Sequence, residues 1–271
     1  MENNYSVLMS VYYKEKADNL NQAVLSVMEQ TVKPNDFVLV CDGPLTEELD
    51  NTIEALVANH PIINVVRLEK NQGLGDALAF GITKTKNEIV MRMDSDDLCM
   101  PNRAEIQLPL MDEYDIVGGH ISEFEDDPTN IIGYRKPPTD SKELFKFAKK
   151  RNPFNHPSVM YKKSIILEAG NYQGMPFFED YFLWVRVLQI TNKIYNVSSI
   201  LVNMRSGVQM RARRSNKAAR KSVKKLRKYM YKIHMISWFS YIYYTTLYVI
   251  ILSMPRWFVA GFYSRFLRKR K

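Results

Sequence analysis

Acidic residues stop at Asp180: from residue 181 onward the chain has 20 Lys and Arg and not one Asp or Glu. The first 180 residues are net acidic, holding 18 basic residues against all 29 acidic ones. An acidic body with a basic end points the tail at something anionic, with nucleic acid and the anionic face of a membrane as the candidates. Cysteine is scarce as well. Cys41 and Cys99 are the only two, which excludes a disulfide framework and makes a reduced, cytosolic compartment the expectation. No internal repeat or low-complexity linker breaks the chain. Residues 1–4 are polar and the run 5–11 is too short for a signal core, so no secretory leader is expected. At 271 residues and 46% hydrophobic content, the length suits one large domain, or one domain with an appendage, around a real core.

What is present is an alternation of strand and helix. Residues 5–12, 36–41, 62–68 and 88–93 are short apolar runs with strand character. Between them, residues 20–29, 46–58 and 75–83 carry helical spacing, the second opening on Thr46 as cap. Such alternation predicts an α/β fold with a parallel sheet covered on both faces. From about residue 114 the rhythm changes, with short strands at 115–119 and 121–124 and a helix at 141–150. A loop leads into a strand at 154–161, followed by a helix at 179–190 and a strand at 193–202. Three divisions follow: residues 1–115, 116–210 and a tail, 211–271.

The strand at 88–93 ends in Arg92-Met93-Asp94-Ser95-Asp96-Asp97. Carboxylates crowded at a strand end repel one another, and a hard divalent cation with oxygen ligands neutralises them best. Ligands of open α/β sheets sit beyond the carboxyl ends of the strands, so a cation there is placed to grip a diphosphate. The plainer reading is a turn that caps a helix entry at 97–101, with Pro101 early in the helix. Four other features accompany it. Cys41-Asp42-Gly43 offers an Asp as acceptor for a nucleobase imide, or an ordinary turn Asp. Asn71-Gln72-Gly73-Leu74-Gly75-Asp76-Ala77 lacks the third glycine of a dinucleotide fingerprint, yet its amides suit a phosphate or ribose. Asn155-His156-Pro157-Ser158 offers an imidazole as a further metal ligand beside Asp96, against a structural histidine. Phe177-Phe178-Glu179-Asp180-Tyr181 offers a carboxylate among aromatics as a general base, against a helix cap.

Taken in order, these blocks resemble glycosyltransferase family 2, over about residues 5–205. The resemblance is close at Ser-Val-Leu-Met-Ser-Val-Tyr, Asn-Gln-Gly-Leu-Gly-Asp-Ala-Leu, Arg-Met-Asp-Ser-Asp-Asp-Leu-Cys-Met-Pro-Asn-Arg, Asn-His-Pro-Ser-Val-Met and Glu-Asp-Tyr-Phe-Leu-Trp-Val-Arg. Their spacing is similar to the bacterial capsule and exopolysaccharide branch, including amylovoran-type transferases. The resemblance implies a GT-A fold: a Rossmann-like, mostly parallel central sheet flanked by helices. It implies a nucleotide-sugar donor, held by Ser10, Tyr12, Asp42, Asn71, Gly73, Arg92 and Asp94. It implies Mn²⁺ or Mg²⁺ on Asp96, joined by His156, and Asp180 as base with Glu179 beside it. Ser10, Tyr13, Asp76 and Ala79 depart from residues common in the family. The Gln-x-x-Arg-Trp motif of processive synthases is absent, so single-sugar addition is expected.

In the tail, residues 215–233 place Ala219, Val223, Leu226, Met230 and Ile233 at 4-3-4-3 spacing, with Lys and Arg on the other faces. Residues 235–254 carry no charge and are rich in Tyr. A basic amphipathic helix of this kind is expected on an anionic membrane surface, with the second stretch in-plane or re-entrant. The competing reading is a dimerising or core helix pair. A membrane location at the cytoplasmic face suits a lipid-linked glycan acceptor. Nucleic acid is not the expected partner, because the tail has no folded recognition motif, although a membrane- or nucleic-acid-binding protein that uses the basic tail is an alternative reading. A nucleotidyltransferase is the alternative enzyme reading, although Tyr12-Tyr13-Lys14-Glu15 replaces the glycine-and-basic loop that a triphosphate requires.

Overall fold

A computed structural model describes residues 4–206 and 217–253. The elements run β1 (Ser6–Val11), α1 (Ala17–Met28), β2 (Asp36–Cys41), α2 (Glu47–Asn59), β3 (Ile63–Arg67), α3 (Leu74–Ile82), β4 (Ile89–Asp94), β5 (Leu98–Cys99) and α4 (Arg103–Gln107). They continue with β6 (Ile116–Phe124), β7 (Gly133–Arg135), α5 (Ser141–Ala148), β8 (Met160–Lys162), α6 (Lys163–Glu168), α7 (Glu179–Val187) and β9 (Ile194–Arg205). The tail adds α8 (Lys217–Lys232) and α9 (Trp238–Ser253).

One sheet joins all the strands in the order β3-β2-β1-β4-β8-β6-β9-β5, with β7 beside β6. Its first four strands are parallel. Beyond them β8 runs antiparallel to both β4 and β6, β9 runs parallel to β6, and β5 antiparallel to β9. The expected halves, residues 1–115 and 116–210, are therefore stitched edge to edge through β4 and β8. Two local expectations change. The two short strands of residues 115–124 are one strand, whose register against β9 slips on either side of His120. The expected helix entry at 97–101 is instead a two-residue strand pairing Leu98 and Cys99 with Asn203 and Val202, and the helix begins only at Arg103. Burial of Cys99 beneath α1 favours this extended path.

Side chains alternate across each strand, and this sorts the core into two layers. Val7, Met9 and Val11 of β1, with Phe37 and Leu39 of β2 and Met91 and Met93 of β4, face α1, α2 and α4. Leu8, Val38, Val40 and Val90 face α3, α5, α6 and α7. α3 crosses this second layer at very close range. A Cβ on Gly81 would stand 2.6 Å from both Leu8 Cδ1 and Val40 Cγ2.

The tail is a helical hairpin docked on α7. Leu226, Met230 and Ile236 bury against Met175, Tyr181, Phe182 and Val185, while Ala219 and Val223 bury against Leu252. The apolar seam of the basic helix is thus consumed by α7 and α9, which corrects the expectation that this seam rests on a membrane. The outward face of α9 keeps its apolar groups in solvent: Phe239 is 77% exposed, Tyr243 63%, Ile250 49% and Ile242 45%. Among the described residues no helix is long and apolar enough to cross a membrane. The terminal basic run, residues 268–271, lies outside the described residues.

The approach of α3 to the sheet fixes a stability test. Gly81→Ala is expected to cost about 1–3 kcal/mol in urea unfolding, the range for overpacking a tight core. An unchanged urea midpoint would contradict the packing of α3 on β1 and β2.

Candidate active site

The carboxyl ends of the parallel strands gather the expected residues. In register, Ser10 of β1 lies between Val40 of β2 and Asp94 of β4. Tyr12, Asp42 and residues 94–97 follow directly at the same edge of the sheet.

On β4 the alternation places Val90, Arg92 and Asp94 on one face. Arg92 is buried and donates a hydrogen bond to Asp94. Burial works against its charge, but Asp94 outweighs burial and the pKa of Arg92 is raised. Past Asp94 the chain turns sharply. Ser95 donates to Glu15 at 3.2 Å, and Asp97 accepts the Arg205 amide at 2.8 Å. Arg205 also donates its Nε to the Asp96 carbonyl at 3.1 Å. These ties to the segment before α1 and to β9 hold the acidic turn against its own repulsion.

The turn concentrates negative charge. Oxygen atoms of Asp94, Asp96 and Asp97 lie within 4.8 Å of one another. Burial, then the charges of Asp94 and Glu15, push the Asp96 carboxyl up to about 7. Burial, then Asp96 and Asp94, raise Asp97 well above the usual carboxylate range. Asp97 Oδ2 is buried and meets no hydrogen-bond partner. Three convergent carboxylates with an orphaned oxygen are what a hard divalent cation with oxygen ligands requires, so the residues fit Mg²⁺ or Mn²⁺.

His156 is not part of that group. Its Nε2 lies 2.9 Å from the Tyr172 hydroxyl, and its ring packs against Tyr172 and Trp184. Burial, together with the charge of Arg92, pulls its pKa well below the ordinary histidine value. The expected ligand is therefore a neutral, buried imidazole built into the wall behind Arg92.

Asp42 also differs from expectation. Oδ1 accepts the Gln72 amide at 2.7 Å, while Oδ2 accepts the Gly73 amide at 3.0 Å and Asn71 Nδ2 at 2.9 Å. The carboxylate expected to face a nucleobase fastens the 71–73 loop to the end of β2. Gly43 permits the approach: its φ is +85°, and a Cβ there would stand 2.5 Å from the Asn71 nitrogen.

The loop leads into α3, and there the second half of the site arrives. A Cβ on Gly75 would stand 3.0 Å from Glu179 Cγ, so Glu179 packs directly on the start of α3. Asp180 follows at the first turn of α7. It accepts Asn152 Nδ2 at 2.6 Å and the Tyr181 amide at 2.7 Å. Burial and then Tyr161 raise the Tyr172 hydroxyl well above its ordinary value, Arg92 lowers it, and Asp180 raises it least. Just before α7, Phe177 takes φ +70°, a left-handed conformation costing a bulky residue about 1–2 kcal/mol. Its neighbours Met175 and Phe178 pack against the tail hairpin and hold it there.

Several contributors carry no local signal. Glu15 and Arg205 act on the acidic turn from distant elements. Arg103 is buried and joins the turn's support to the 156–159 wall, donating to the carbonyls of Arg92, Pro157 and Val159 at 3.0, 2.8 and 3.0 Å. Asn152 is reached only through the fold. Asp97 alone stood in the acidic motif without an assigned role.

With this geometry in view, the chain belongs to glycosyltransferase family 2: residues 6–168 match the family described as Glycosyl transferase family 2. It is 36% identical to the amylovoran biosynthesis glycosyltransferase AmsE of Erwinia amylovora over 76% of this chain and 77% of that one. It is 32% identical to the UDP-Gal:alpha-D-GlcNAc-diphosphoundecaprenol beta-1,3-galactosyltransferase of Escherichia coli, over 98% of this chain and 97% of that one. The fold is GT-A. The crystal structure of S. aureus TarS 1-349 in complex with UDP-GlcNAc superposes with a TM-score of 0.62 at 16% identity, covering 83% of this chain. The chain spans 65% of that TarS chain, less than two thirds of its length.

The raised Asp96 carboxyl gives a pH-dependent test. Its folded pKa of about 7 exceeds the ordinary 3.8, so the folded state binds the proton more tightly. Its contribution to stability is complete below the unfolded pKa and is lost as pH rises towards the folded one. Metal-free protein should therefore be relatively more stable in acid. The thermal shift given by Mn²⁺ should be larger at about pH 8 than at about pH 5.5, and Asp96→Ala should abolish it. A shift of equal size at both pH values, or one that survives Asp96→Ala, would contradict the assignment.

Proposed function

We propose that the protein is an inverting, metal-dependent glycosyltransferase. In this reading it moves one sugar from a UDP-sugar to a hydroxyl of a lipid-linked glycan during assembly of a bacterial surface polysaccharide. The observation that carries it is the convergence of the Asp94, Asp96 and Asp97 carboxylates at the carboxyl end of β4, more negative charge than the Arg92–Asp94 pair offsets, with Glu179, the residue before Asp180, packed on the start of α3. The relatives' names support the substrate class: one acts in amylovoran biosynthesis, and the other uses UDP-Gal and a diphosphoundecaprenol-linked sugar.

The roles follow from position. Tyr12 and Asn71, the latter set by Asp42, line the nucleoside end, with Ser10 and the Gly73 amide behind them. Arg92 orients Asp94 toward the nucleoside. Asp96, with Asp94 and Asp97, would hold Mn²⁺ or Mg²⁺, which would supply Lewis-acid stabilisation of the charge on the departing diphosphate. Asp180 accepts the proton of the acceptor hydroxyl as its oxygen bonds to the anomeric carbon and the bond from that carbon to the diphosphate breaks. A single in-line displacement inverts the anomeric centre and needs one base. Glu179, packed on Gly75, keeps the start of α7 against the donor loop. Positioned proton transfer contributes about 10²–10⁴-fold, and alignment of donor with acceptor contributes more.

In this reading the tail docks the enzyme on the cytoplasmic face of the membrane. The outward face of α9 supplies Phe239, Ile242, Tyr243 and Ile250, and the exposed lysines of α8 supply charge for anionic headgroups. This brings the catalytic edge to the plane where a lipid-linked sugar presents its hydroxyls.

Two experiments test the proposal. With Mn²⁺ and a short-chain alkyl diphosphate bearing GlcNAc as acceptor, UDP should be released from a UDP-sugar. Asp180→Asn should keep UDP binding and reduce transfer by about 10²-fold or more. Native-rate transfer by Asp180→Asn would remove Asp180 as the base. In co-sedimentation, vesicles rich in phosphatidylglycerol should retain the native protein, and the Phe239→Ser/Tyr243→Ser double variant should be retained much less. Equal retention would overturn the docking face.

A further inference from the structure

The tail hairpin reaches the catalytic edge as well as any membrane. Helix α5 ends at Ala148, and the last carbonyls of a helix lack partners within it. Here three successive carbonyls at that end are claimed by three other elements. Tyr181 of α7 donates its hydroxyl to Ala148 O at 2.6 Å. Arg227 of α8 donates Nη1 to Lys149 O at 2.7 Å. Tyr248 of α9 donates its hydroxyl to Lys150 O at 3.1 Å. Two residues further along, Asn152 holds Asp180 at 2.6 Å.

Arg227 is the unusual member. It is fully buried, and among the described residues no carboxylate pairs with it. Its guanidinium lies 4.9 Å from the ring centroid of Tyr244 and 5.8 Å from that of Tyr248, and Nε and Nη2 have no hydrogen-bond partner. A buried cation is costly unless its surroundings compensate it. Two aromatic faces and the negative end of α5 provide that compensation. They also lock α8, α9 and the 148–152 segment into one unit. The same hairpin packs on Met175 and Phe178, on either side of the strained Phe177. Both segments that determine where Asp180 sits are therefore clamped by the tail.

The geometry points to Arg227 and Tyr248 as positioning residues for the transfer reaction: by capping α5 they set the 148–152 loop, and through Asn152 they set the Asp180 carboxylate. This rests on Asp180 being the base. The donor residues of β1, β2 and β4 lie on other elements than those the clamp joins, and the donor loop meets α7 where Gly75 faces Glu179, so the clamp is expected to act mainly on turnover rather than on donor binding.

The test is a double-mutant cycle in the full chain. UDP release from a UDP-sugar donor is measured with Mn²⁺, with and without the GlcNAc-bearing alkyl diphosphate acceptor. Arg227→Met and Asn152→Ala should each lower kcat about 10–100-fold, the scale of a small misplacement of a reacting group, with the donor KM nearly unchanged. The double variant should be no slower than Asn152→Ala alone, because both act on one contact. Arg227→Lys, which keeps a cation for the α5 carbonyls, should recover part of the rate. Losses that multiply in the double variant, a donor KM that rises in step, or native kcat in folded Arg227→Met would overturn the clamp. Should Arg227→Met fail to fold, Tyr248→Phe removes one hydroxyl and decides the matter: reduced kcat supports the clamp and native kcat removes it. Asp180→Asn separates the two readings. If it is inactive while the clamp variants are native, only the clamp fails; if it transfers at the native rate, the base fails and the clamp with it.

Discussion

Electrostatic repulsion at the end of β4 is the constraint on which the rest of the molecule depends. Asp94, Asp96 and Asp97 converge there with Glu15 nearby, and burial raises the proton affinity of Asp96 and Asp97. A fold that crowds four carboxylates must restrain them from several directions, and this one does so. Arg92 holds Asp94 from within the strand, Arg205 holds the turn from β9, and Ser95 ties it to the segment before α1 through Glu15. The supports come from both halves of the sheet: Arg92 lies on β4, and Arg205 lies on β9, three strands further along the sheet order.

Behind the turn lies a wall of buried polar groups. Arg92, His156, Tyr172 and Arg103 connect β4 to the 156–159 segment. A neutral His156 beside the Arg92 charge avoids adding a third cation to a wall that already holds Arg92 and Arg103. Asp180 is held separately, by Asn152 Nδ2 at 2.6 Å and the Tyr181 amide at 2.7 Å. Catalysis by alignment asks for this kind of rigidity, because a small displacement of either group costs much of the rate.

The sequence made the parallel half legible because its signals are local: apolar runs for the strands, helical spacing between them, and Thr46 accepting the Leu49 amide at 3.3 Å as the expected cap. The acidic turn and the carboxylates of α7 were legible for the same reason. What was not legible depends on residues far apart in the chain. Whether Asp42 faces a base or fastens a loop turns on Asn71, Gln72 and Gly73. Whether His156 is a ligand turns on Tyr172 and Trp184, which claim its ring. The tail's periodicity showed an apolar seam on α8, but only the position of α7 shows that the seam is filled from inside the molecule, leaving α9 to carry the exposed apolar face.

The central claim is that the β4 carboxylates and a nucleoside diphosphate share one cation. Calorimetric titration of UDP into the native protein, with and without Mn²⁺, tests it most directly, because thermodynamic linkage makes each ligand report on the other. The account predicts that Mn²⁺ strengthens UDP binding about tenfold or more, a coupling of about 1.4 kcal/mol. Equal UDP affinity in chelator and in Mn²⁺ would contradict it.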